Sequence, residues 1–91
     1  MRETAIVITY NAIRGFGFAR SDKTDEDVFI FVGNINRKLF ESGCTCFFAG
    51  NVIEFSVTEG EKGPIAKNIV LLGAVPSHQI PKIRRVMKNA K

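Results

Sequence analysis

The chain has no tryptophan, one tyrosine and one histidine in 91 residues. His78 lies far along the sequence, and no serine or cysteine has a base and an orienting acid at recognisable spacing,. Nothing in the residues points to catalysis. Only two cysteines occur, Cys44 and Cys46, separated by one residue. A disulfide across so short a loop is disfavoured, and two thiolates without a third or fourth ligand make a poor zinc site. They read as small buried or half-buried thiols. Asp22, Asp25, Glu26 and Asp27 cluster but lack the spacing and closing glutamate of a calcium loop, so they read as a solvated acidic loop,. No cofactor or metal is expected. No apolar run approaches the ~20 residues of a membrane-spanning helix. Met1-Arg2-Glu3-Thr4 leads straight into a strand pattern without the features of a secretion signal, so the expected compartment is the cytoplasm, away from membranes,.

Acid is also missing from one end. Residues 77–91 hold five bases (Lys82, Arg84, Arg85, Lys88 and Lys91) and no Asp or Glu, a net charge of +5. Residues 1–76 carry −1. The basic character is therefore a C-terminal appendage on a nearly neutral body. Pro76 and Pro81 break the pattern there, and Pro81–Lys88 reads as either a short helix with Ile80, Ile83 and Met87 as an apolar stripe, or a disordered basic tail,.

What is present is strand pattern. Strands are predicted over Ala5–Tyr10, Gly15–Arg20, Val28–Val32, Asn51–Thr58 and Ile65–Leu72, joined by polar or glycine-containing loops,. The connection Gly33–Gly43 is longer and has room for a helical turn. Short strands with hairpin loops favour an antiparallel barrel over a βαβ fold. Two segments stand out. Arg14-Gly15-Phe16-Gly17-Phe18 and Asp27-Val28-Phe29-Ile30-Phe31 each place phenylalanines two residues apart, and hence on one strand face,. Val28, Ile30, Val32, Ile53, Phe55 and Val57 already supply a small core. The phenylalanines are then expected on the other side, as a platform on which nucleobases stack.

These two segments resemble the cold-shock domain family, which carries a base followed by Gly-Phe-Gly-Phe, and then Asp-Val-Phe-Val-His-Phe. Val7-Ile8-Thr9-Tyr10-Asn11, Ala49–Phe55 and Gly60-Glu61-Lys62-Gly63-Pro64-Ile65-Ala66-Lys67-Asn68-Ile69 match further family segments in family order. The resemblance covers about Ala5 to Leu72. It implies an all-β, five-stranded antiparallel OB-fold barrel over residues 1–73, followed by a short basic C-terminal extension, a tail or helix, over 74–91. By matched position the nucleic-acid-binding residues are Tyr10, Phe16, Phe18, Phe29 and Phe31, with Arg14, Arg20, Lys62 and Lys67 as phosphate candidates.

The departures from the family matter too. Its tryptophan position holds Thr9, the lysine before it Ile8, and the second aromatic of the third strand Val32. Cys44 stands for the phenylalanine after the glycine and Phe31 for a histidine, and the linker over positions 33–43 is about three residues longer than the family's. The expected function is binding of single-stranded RNA or DNA, of the RNA-chaperone or transcription/translation-regulator type, by a monomer. The alternative is a protein-interaction module on the same fold, with Ile8, Val32 and Cys44 forming an aliphatic patch.

Overall fold

The computed structural model describes residues 2–43, 46–61 and 63–82. Five strands close a barrel in the order β1-β2-β3-β5-β4, with β4 returning to β1. They are β1 (Arg2–Asn11), β2 (Phe16–Ser21), β3 (Asp27–Phe31), β4 (Asn51–Gly60) and β5 (Gly63–Ala74). Four of the pairings are antiparallel; the fifth, β3 with β5 at Phe29 and Ile65, is parallel. This is the five-stranded OB-fold barrel expected from the sequence. Strands one, four and five run several residues beyond their predicted ends.

The interior follows from alternation. Ala5 and Val7 of β1, Ala19 of β2, Val28 and Ile30 of β3, Ile53 and Phe55 of β4, and Ala66 and Ile69 of β5 form one buried cluster. Phe47, in the connection before β4, is among its largest members. Val32 is not the last inward residue of β3. It opens a 3-10 turn (Val32–Asn34) and packs half-buried against the core, its N–H donating to the Gly15 carbonyl.

The long connection after that turn contains a short helix, α1 (Arg37–Glu41). Its start is set by Asn36, whose side chain accepts from the Lys38 N–H at 2.9 Å and caps the helix,. The same side chain donates to Asn68 Oδ1 at 2.6 Å, and the Asn36 N–H donates to the Ile69 carbonyl. Asn36 thus ties the helix to β5.

After β5 the chain turns back over the barrel. The Val75 N–H donates to the Gly50 carbonyl, and the Ile80 side chain lies against Gly50. The Lys82 carbonyl then accepts from Arg20 at 2.6 Å. Gly50 adjoins β4 and Arg20 is on β2, so this strap crosses β1 near Ile6, which pairs with both Arg20 and Val52. The helix or tail over 81–88, with Ile83 and Met87, lies outside the described residues apart from Pro81 and Lys82.

Candidate nucleic-acid interface

Register brings the phenylalanines together. Phe16 pairs with Phe31, and Phe18 with Phe29, across β2 and β3. Adjacent outward residues on paired strands stand within reach of one another. The rings of Phe16 and Phe29 stack at 6.0 Å between centroids, and those of Phe29 and Phe31 at 6.5 Å, only 13° apart in plane. Phe18 meets Phe29 edge-on at 5.8 Å. None of the four belongs to the core cluster. Phe31 is 41% exposed and the others are half-buried.

The inner side of β2 explains the glycine between Phe16 and Phe18. A Cβ on Gly17 would sit 2.6 Å from Tyr10 Cα and closer still to the Thr9 carbonyl oxygen. Only a residue without a side chain lets β1 approach this closely. The platform is therefore made of large rings outside and almost nothing inside.

Tyr10 does not join it. The pairing of β1 with β2 slips between Val7 and Thr9, a bulge at Ile8. One extra residue reverses which side each later side chain faces. Strict alternation from Ala5 and Val7 would turn Tyr10 outward. The bulge instead puts Thr9 opposite Phe18 on the outer face, and Tyr10 opposite Gly17. Tyr10 packs against the core, edge-on to Phe47 at 5.6 Å.

The charged candidates separate by end. At the Phe16–Phe31 end, Asn11 accepts from the N–H groups of Ile13 and Arg14, both at 3.0 Å, and folds the turn between β1 and β2,. Arg14 emerges from that turn with its guanidinium 5.4 Å from the Phe16 ring centroid, a cation–π contact,. Lys67 is exposed on β5 and reaches Asn34 Oδ1 at 3.5 Å. At the Phe18–Phe29 end, Arg20 is 7% exposed, paired with Asp27 and bonded to the Lys82 carbonyl. Its Nε and Nη2 donate within the protein, and the acidic loop Asp22–Asp27 lies beside it. Lys62 lies outside the described residues.

Of the three residues of the aliphatic patch, the structure describes two. Ile8 is buried at the bulge, Val32 packs on the core, and Cys44 lies outside the described residues. Cys46 is half-buried. Among the described residues, no group of three or more His, Cys, Asp or Glu is placed to hold a metal ion. No helix among them is long and apolar enough to cross a membrane. Two residues that sequence reasoning missed, Arg37 and Phe40, stand on α1 beside the Phe31 end. Their signal was a phenylalanine, 46% exposed in the structure, inside the extra length of the linker.

A closed five-stranded barrel with aromatic rings on its outer β2–β3 face defines a class of small nucleic-acid-binding domains. Residues 3–72 match the 'Cold-shock' DNA-binding domain, and the chain belongs to that family, whose members generally bind nucleic acid and are not enzymes. The cold shock-like protein CspG of Escherichia coli (strain K12) is 35% identical over 69 residues, 76% of this chain and 93% of CspG. The cold shock protein ScoF of Streptomyces coelicolor is 37% identical over 60 residues, 66% of this chain and 84% of ScoF. The cold shock protein CspV of Vibrio cholerae is 35% identical over 69 residues, 76% of this chain and 93% of its own length.

Proposed function

We propose that this chain is a cytoplasmic, monomeric protein that binds single-stranded RNA or DNA by stacking bases on Phe16, Phe18, Phe29 and Phe31. The observation that carries this reading is the contiguity of the four rings outside the core. Rings on an outer face offer a π face to any base, so such binding tolerates sequence variation. A base-paired strand hides its faces inside the stack. The protein therefore favours open strands, which suits a role in keeping RNA free of secondary structure or in regulating transcription or translation.

The charge arrangement gives the strand a preferred path. Arg14 and Lys67 flank the Phe16–Phe31 end, while the acids of the β2–β3 loop repel phosphate from the other. The backbone is expected to run past the basic end. An NMR titration with a short oligothymidine or oligouridine tests this. Shifts are expected at Phe16, Phe18, Phe29, Phe31 and Arg14, with Tyr10 and Phe47 unmoved. Shifts confined to other faces of the barrel, or none at all, would contradict the reading.

A further inference from the structure

Beyond Phe31 the platform meets a cavity of about 400 Å³ lined by Val32, Gly33, Ile35, Arg37, Phe40 and Glu41. That volume lies within the usual range of small-ligand sites, and the pocket is open to solvent,. The cavity adjoins the platform directly: a Cβ on Gly33 would fall 2.9 Å from Phe31 Cε2, so the missing side chain lets the Phe31 ring rest against the cavity wall. The opposite wall is α1, which the Asn36–Asn68 bond and the packing of Leu39 on the core hold in place. A helix so anchored still leaves Phe40 46% exposed. Phe40 thus presents an aromatic face to solvent next to the stacking surface,.

We propose that this cavity takes one further base of the strand lying on the platform, stacked against Phe40, with its phosphate drawn to Arg37. The inference rests on the platform reading and extends it by one nucleotide. It also assigns a base preference. Glu41 lines the same cavity, and a carboxylate only accepts hydrogen bonds,. Guanine alone presents two adjacent donors on its Watson–Crick edge, N1–H and the N2 amine, which match two carboxylate oxygens. Adenine, cytosine, thymine and uracil present a single donor there, beside acceptors. Guanine is the base this cavity favours.

The test uses the full chain, wild type against Phe40→Ala and Glu41→Gln, with oligothymidines of increasing length. A second series carries one guanine, moved through each position of the longest oligomer. For wild type, one guanine position should bind about tenfold tighter than thymine there, the worth of a bidentate pair. Glu41→Gln should bring that ratio close to one. A ratio is read because removing a negative charge raises affinity for every strand. Phe40→Ala should bind the longest oligomers about 5- to 150-fold more weakly, and those that cover the platform alone as tightly as wild type. If Phe40→Ala binds all lengths like wild type while Phe16→Ala is weakened, the cavity inference falls and the platform stands. If wild type binds no single strand, both fall. A guanine effect at no position, or one that survives Glu41→Gln, overturns the base assignment. Thermal unfolding checks both variants, and should Phe40→Ala fail to fold, the Glu41→Gln ratio decides alone.

Discussion

Phe16 and Phe29 are rings whose removal should change affinity before it changes stability. They stack on each other at 6.0 Å and lie outside the core cluster. Phe16→Ala and Phe29→Ala are each expected to weaken single-strand binding by about 1–3 kcal/mol, the worth of one stacked base. Urea unfolding of the two variants should still show one cooperative transition. Thr9 offers the opposite experiment. It is exposed and sits opposite Phe18, on the outer face that the bulge gives it. Thr9→Trp adds a large π face there, and its dissociation constant at fixed salt should fall below that of wild type. An unchanged constant in a folded variant would mean that ligand passes this position by. The outward set Phe16, Phe18, Phe29 and Phe31 was legible because period-two alternation holds through β2 and β3. Tyr10 was placed on the platform by its matched position in the family, and the bulge at Ile8, which nothing in Val7-Ile8-Thr9 announces, turns it toward the core instead.

At the scale of elements, Arg20 shows that a base on the outer face need not meet phosphate. It shares its strand face with Phe16 and Phe18, yet it is buried against Asp27 and the strap. Removing one partner of a buried pair leaves the other uncompensated, at a cost of about 3–5 kcal/mol. Arg20→Ala should therefore lower unfolding free energy by an amount of that order. Affinity per folded molecule should stay near wild type. Sequence alone gave no warning, since the carbonyl that Arg20 meets belongs to Lys82, 62 residues away. Long-range packing also hid Phe47. It reads as part of a loop, Cys46-Phe47-Phe48, and only closure of the barrel makes it core. Helix α1 was legible as spare length with room for a turn. Its site-facing residues were not, because the Asn36–Asn68 tie that orients it spans two separate parts of the chain.

For the whole molecule, charge and shape are divided between two parts of the chain. Residues 1–76 carry −1 and residues 77–91 carry +5. Long-range attraction to a nucleic acid must come mainly from the C-terminal bases, and base stacking from the barrel. Cutting the chain at Pro76 would remove the strap as well as the charge. The cleaner variant is Arg84→Gln, Arg85→Gln, Lys88→Gln, which leaves Ile80 and Lys82 in place. It should flatten the log–log dependence of affinity on salt, by about 0.7 for each phosphate that is no longer neutralised. Affinity at high salt, where stacking dominates, should barely change. The central claim, that aromatic rings on the outer face of a closed barrel stack unpaired bases, is tested most directly by fluorescence anisotropy of one labelled sequence, single-stranded and as a duplex, at the same salt. Opening a duplex costs a few kcal/mol per base removed from the stack, so the single strand is expected to bind at least about tenfold tighter. Equal or tighter binding of the duplex would contradict the account.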